Sequence, residues 1–142
     1  MANNFSSGAA GVTPTVDEGL ITYTHVIYAL HALAVFIGIT TAATVVASFV
    51  CGVPSIVAVI MNYARRSATR GTFLESHFRW QIRTFWFALF WALAILAVSL
   101  PLVLILVGIV LLYAGFAALG IWIIYRVVRG WLALRDRRPM YV

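Results

Sequence analysis

Lysine is absent from this chain, and acidic residues nearly so: Asp17, Glu18, Glu75 and Asp136 are the only four among 142 residues. Cysteine occurs once, at Cys51, which excludes an intrachain disulfide scaffold. Charged residues make up 10% of the chain, whereas a soluble domain carries roughly a quarter. Hydrophobic residues make up 63%, and the mean hydropathy is +1.00. This balance excludes an ordinary water-soluble domain and makes the bilayer the expected solvent. The motifs of common chemistry are missing too: there is no glycine-rich phosphate loop, no HExxH, no cysteine cluster and no Ser/His/Asp constellation. None of the four carboxylates falls in an expected hydrocarbon segment. The sequence therefore predicts no catalytic residue, no metal site and no cofactor, and the chain reads as non-enzymatic.

What is present is arginine. All ten basic residues are Arg, and the formal net charge is +6. Arg65, Arg66, Arg70, Arg79 and Arg83 lie at the centre, and Arg126, Arg129, Arg135, Arg137 and Arg138 at the C-terminal end. They flank apolar blocks, so anionic phospholipid headgroups are the expected partner, contacted above all by Arg65, Arg66, Arg79, Arg83, Arg129 and Arg135. Nucleic acid is not expected, because the chain offers neither a folded recognition element nor an aromatic stacking platform.

The apolar blocks set the architecture. From Thr22 to Ala64 there is no ionised residue; one helix of that length would be roughly 65 Å long, about twice the hydrocarbon thickness. The block must fold back, and the break is placed near Gly38 to Thr41, with Pro54 kinking the second span. The block from Thr84 to Tyr125 is likewise too long for one crossing, and Ser99-Leu100-Pro101 is its breaker signal. The fold class is thus an all-α membrane protein of four transmembrane helices in two hairpins. The spans fall at about 20–39, 42–63, 78–98 and 102–125, within a domain covering 16–138. Residues 1–15 are rich in Asn, Ser, Gly, Ala and Thr and are expected to form a mobile tail. Met1 to Gly11 has no basic residue ahead of an apolar run, so a cleavable signal peptide is not expected and the first spanning helix would direct insertion. Residues 126–142, with RVVRGWLALRDRR at their start, read as a basic amphipathic segment on the membrane surface.

Local signals place the helix starts. Thr15 with Glu18, and Thr72 with Glu75, fit the capping box in which each side chain satisfies a free amide. A third helix from Phe73 to Val98 would be about 39 Å long, more than the hydrocarbon core. Its first turns are therefore expected in the cytoplasmic headgroup region, where Arg79 and Arg83 can meet phosphates and Phe78, Trp80, Phe85 and Trp86 suit the interface.

His77, Gln81 and Thr84 recur at i, i+4 and i+7 and form a polar stripe expected to face other helices. His25 and His31 lie on the first span, six residues apart and so turned roughly 120° from each other. These five residues are the candidate inward polar face. Two readings stay open: hydrogen bonds that fix the bundle, or a site for a proton, a small solute or a partner. His25 with His77 is the one pair at a common depth that could ligate haem b. Small residues at Thr40, Thr44 and Ser48, at Ala43, Ala47 and Cys51, and at Ala114 and Ala118 beside Gly108 and Gly115, allow close helix approach, either within the bundle or between copies.

The segments NYARR at 62–66, RGTFLESH at 70–77, HFRWQIRTFWF at 77–87 and IYRVVRGW at 124–131 resemble a group of small bacterial inner-membrane proteins, uncharacterised in function, that is distantly related to the chloroplast inner-envelope import translocon component. The resemblance runs from about Tyr23 to Arg138. It implies a four-helix protein of the bacterial inner membrane with both ends cytoplasmic, and supplies no activity. The functional expectation is an accessory or interaction subunit of a larger membrane assembly, or a homo-oligomer. A solute or proton conduit using intramembrane histidine is the alternative, with haem binding behind it.

The arginines also orient the chain, because neither expected hairpin tip carries one. By the positive-inside rule the central connection and both termini are cytoplasmic. An alkaline-phosphatase fusion after Thr40 is expected to be active and one after Ser67 inactive; the opposite pattern overturns the topology.

Overall fold

A computed structural model describes residues 16–40 and 45–140, with side chains over 16–38 and 52–140. The N-terminal tail, the partner Thr15 of the first capping box, and the small residues at 40–51 lie outside the described side chains. The chain forms four helices and no strand among the described residues: α1 (Glu18–Thr40), α2 (Val45–Arg65), α3 (Phe73–Leu102) and α4 (Val107–Arg135). Single 3₁₀ turns at Arg66–Thr69 and Val103–Ile105 complete the connections. Helices α1, α3 and α4 are each long and apolar enough to cross a membrane.

The helix ends show which local signals operate. Asp17 caps α1: its carboxylate accepts the Gly19 amide at 2.9 Å, and its carbonyl accepts those of Leu20 and Ile21. The α3 start keeps half of the expected box, displaced by one residue. Glu75 reaches the Gly71 amide at 3.1 Å, while the Thr72 hydroxyl turns back to the Thr69 carbonyl at 2.7 Å. Gly71 takes φ +74, where a side chain would be strained.

The break between α3 and α4 falls later than the proline predicts. Pro101 lies inside α3, which runs on to Leu102 before tightening into the 3₁₀ turn. A proline removes a single amide from the ladder, so near a helix end it weakens the helix without ending it. The reversal itself falls on Leu106, with φ +62, a left-handed conformation held by its amide's bond to the Val103 carbonyl at 3.0 Å. Gly108 makes the close return possible, because a Cβ there would sit 2.3 Å from the Ser99 carbonyl oxygen. Further along, Gly115 meets Ile95, and Arg126 meets Trp80, so α3 and α4 run in opposite directions. Ala114 and Ala118, a candidate packing face, are exposed.

Burial is concentrated at one end. Leu20, Ile21 and Tyr28 of α1, Leu74 of α3, and Val127 and Leu134 of α4 form one buried cluster; Ile27, Ala58 and Phe78 form a second that brings in α2. Residues 126–135 are therefore the last turns of α4 rather than a separate surface segment. Val127, Gly130 and Leu134, at i, i+3 and i+7, give them a small apolar stripe that docks, while Arg129 and Arg135 are exposed and Arg126 is partly buried.

The chain then turns back through a Schellman cap. The Arg138 amide bonds the Ala133 carbonyl, the Arg137 amide bonds the Leu134 carbonyl, and Arg137 takes the left-handed position with φ +52. This reversal lays Arg138 and Met140 over the start of α3, where the Met140 amide donates to the Ser76 hydroxyl at 2.9 Å.

Gly108→Ala places a methyl group against backbone, which cannot yield as a side chain can. We expect it to cost about 1–3 kcal/mol and to lower the thermal unfolding midpoint in mild detergent, whereas Gly120→Ala, with nothing within 4 Å of the added Cβ, should leave it unchanged.

Candidate functional site

All three members of the α3 stripe are buried: His77 fully, Gln81 to 2% exposed and Thr84 to 3%. The spacing that put them on one face also puts that face toward α1 and α4. His77 is the centre of the arrangement. Its Nε2 lies 2.8 Å from the Arg138 carbonyl oxygen, and its Nδ1 lies 3.0 Å from the Tyr28 hydroxyl. A carbonyl only accepts, so Nε2 carries the proton; Nδ1 is then an acceptor, and the Tyr28 hydroxyl donates to it. The rings of Tyr28 and Phe73 both stand edge-on to the imidazole, at 6.0 Å each.

Tyr28 can enter because of a glycine. A Cβ on Gly130 would lie 2.5 Å from the Tyr28 hydroxyl oxygen, so only a bare backbone admits the ring against α4. A glycine in a helix interior costs about 1 kcal/mol relative to alanine, and close approach is what it supplies here.

Thr84 ties α3 to α4. Its hydroxyl donates to the Trp80 carbonyl at 2.7 Å and accepts from Arg126 Nε at 2.7 Å. The Arg126 guanidinium lies 3.6 Å from the Trp80 ring centroid and 5.0 Å from that of Trp122, and the Trp80 indole donates to the Arg126 carbonyl at 3.2 Å. Stacking of this kind suits a guanidinium, which is planar and weakly hydrated.

A cavity of about 10 Å³ opens among Tyr28, His31, Trp80, Gln81, Thr84, Arg126 and Val127. Its size is at the lower limit for a single water molecule. His31 is 4% exposed and donates from Nδ1 to the Ile27 carbonyl at 3.0 Å. That leaves its Nε2 a bare acceptor, buried without a partner among the described residues. Gln81 lines the same cavity, and both its amide atoms are likewise buried without a partner among the described residues. Asn62 on α2 is fully buried and also unpartnered.

His25 goes elsewhere. Its Nδ1 accepts from the Trp131 indole at 3.1 Å, and it is only partly buried. The structure therefore assembles His77, Gln81, Thr84 and His31 around one centre and leaves His25 at its margin. Both ring nitrogens of His77 are taken by protein groups, so neither is free to ligate an iron beside His25. No group of three or more potential metal-ligating side chains occurs among the described residues.

The arginines divide by partner. Arg79 pairs with Glu75 at 3.1 Å, Arg135 with Asp136 at 3.5 Å and Arg137 with Glu18 at 2.8 Å, all exposed. Arg65 lies over the Tyr23 ring at 5.6 Å, and Arg129 donates to the Tyr125 hydroxyl at 2.6 Å. Arg66 and Arg83 are exposed. Sequence reasoning missed Tyr28, Trp80, Arg126 and Gly130. Gly130, next to last in IYRVVRGW, was the available signal for the first, because an interior helix glycine marks a close approach.

Tyr28→Phe keeps the ring and removes the donor, leaving a buried Nδ1 unpaired. It should destabilise the protein by about 1–3 kcal/mol, read by unfolding in mild detergent, and nitrogen NMR of the variant should show His77 departing from its Nε2-protonated form. A Tyr28→Phe protein with unchanged stability and tautomer contradicts the arrangement. Compared with protein-family models, curated proteins and solved structures, the chain has no match.

Proposed function

We propose that the chain is an integral protein of the bacterial inner membrane with four crossings and cytoplasmic ends. In this reading it acts without catalysis, as an interaction subunit of a homo-oligomer or a larger membrane assembly. The observation that carries it is the uneven packing: 39% of the apolar window of α1 is buried, against 6% in α3 and 6% in α4. Trp86, Phe90, Trp91 and Leu93 on α3, and Val110, Tyr113 and Ile121 on α4, face outward.

Lipid can cover a smooth apolar surface, but α4 also presents Ala114 and Ala118 outward, a small-residue pair that its own fold leaves unused. In lipid, helices associate through close van der Waals approach at such residues. The resemblance of the central and C-terminal motifs to small four-helix inner-membrane proteins supports the membrane, the helix count and the cytoplasmic ends of this reading. Affinity purification from native membranes in mild detergent, followed by mass spectrometry, should return a stoichiometric partner or a second copy of the chain; a strict monomer without a co-purifying protein counts against it.

A second reading rests on the unpartnered Nε2 of His31. It faces the cavity with Gln81 and Tyr28, and from Tyr28 the hydrogen bonds run through His77 to the Arg138 carbonyl. This is a line of groups able to hold or pass a proton from an apolar depth to the arginine-rich end. In proteoliposomes, proton flux that falls in His31→Leu supports it, and absent or unaltered flux removes it.

A further inference from the structure

The acidic side chains are all engaged away from one group of arginines. Glu75, Asp136 and Glu18 pair with Arg79, Arg135 and Arg137, and Asp17 caps α1. Arg83, Arg126 and Arg129 are left without a carboxylate among the described residues. They are also neighbours in the fold: Arg126 binds Thr84 and stacks on Trp80, the residues one after and three before Arg83 on α3, and Arg129 follows Arg126 by less than one turn on α4. Like charges held together repel, so this arrangement gains when an anion comes among them.

Arg126 is the member fixed in place. Its Nε is bound by Thr84, its plane is stacked on Trp80, and neither Nη group has an acceptor among the described residues. It thus offers a preformed fork of free donors, the geometry that suits a phosphate oxygen pair.

From Arg83 a groove of about 350 Å³ opens along α3, walled by Trp86, Phe87 and Phe90. Arg83, Phe87 and Phe90, at i, i+4 and i+7, place the charge at the arginine-rich end and the aromatic wall toward the middle of the helix. The polarity along the groove is therefore that of an amphiphile: anion at one end, hydrocarbon at the other. A free phosphate would use the arginines and leave the wall idle, whereas a phospholipid uses both.

We propose that Arg83 and Arg126, supported by Arg129, form a site for the phosphate of an acidic phospholipid, with one acyl chain lying against Trp86, Phe87 and Phe90. The site rests on the membrane reading above and narrows it, from a diffuse arginine belt to one position on the α3–α4 face. It also brings in Arg126, which the sequence did not single out as a lipid contact.

The test uses the full chain in phosphatidylcholine vesicles with a minor fraction of brominated phosphatidylglycerol, read by tryptophan quenching against brominated phosphatidylcholine. The wild-type chain should prefer phosphatidylglycerol, and Arg83→Gln should reduce that preference about fivefold, as loss of one arginine contact near a surface implies. Arg70→Gln removes the same charge from an exposed position between α2 and α3 and should leave the preference unchanged.

Three outcomes overturn the site: equal quenching by the two lipids, an Arg70→Gln effect as large as that of Arg83→Gln, or abolition of the preference by millimolar inorganic phosphate. The last would show a soluble anion as occupant. Each is independent of the co-purification result, so a failed lipid site and a failed interaction subunit are distinguished.

Discussion

A histidine buried between two fixed partners governs this structure. His77 cannot leave its proton on either nitrogen at will, because the Arg138 carbonyl requires a donor and the Tyr28 hydroxyl finds the acceptor that remains. One ring thereby joins the start of α3 to the middle of α1 and to the reversed chain beyond α4. Removing any one group leaves another buried without a partner, and an unpaired buried group costs more than a typical hydrogen bond contributes. Gly130, the Schellman cap at Arg137, and the Ser76 hydroxyl on the Met140 amide all serve to bring these partners within reach.

The concentration of packing at that end follows from the solvent proposed for the chain. Apolar burial is favourable where water is the alternative, at the arginine-rich end, and there Leu74, Leu134, Ile21 and Tyr28 form a core. In hydrocarbon no such drive exists, and an exposed leucine or phenylalanine costs nothing. The far half of α3 and α4 comes together closely at Gly108, which meets the backbone of the turn, and at Gly115, which meets the Ile95 side chain. The same solvent explains why so few polar groups occur beyond Thr84, and why those at its level, Thr84 and Arg126, bind each other.

The helical architecture was legible because it depends on run length and period, which the sequence states directly. Four helices, the start of α3 at Phe73 and the inward turn of His77, Gln81 and Thr84 all follow from spacing. Partners were not legible, since which side chain meets His77 depends on how three helices dock. Tyr28 looked like one aromatic among many, and only the matching gap at Gly130 distinguishes it. Residues 126–135 carry an alternation of arginine and apolar groups that fits a membrane surface as well as it fits a docked helix end. Tertiary contact with Tyr28 and Leu74 decides between them. Pro101 was read as a break, yet a proline near the end of a helix only weakens it, and the reversal waits for Leu106.

The claim on which the account turns is that the chain end beyond α4 folds back beside α1 and α3. Glu18 and Arg137 mark this junction with an exposed ion pair at 2.8 Å. In a Cys51→Ser background, Glu18→Cys combined with Arg137→Cys should be joined rapidly within one chain by a short bifunctional thiol reagent in mild detergent. A pair that fails to join, or that joins only between chains, would contradict the junction and with it the setting of His77.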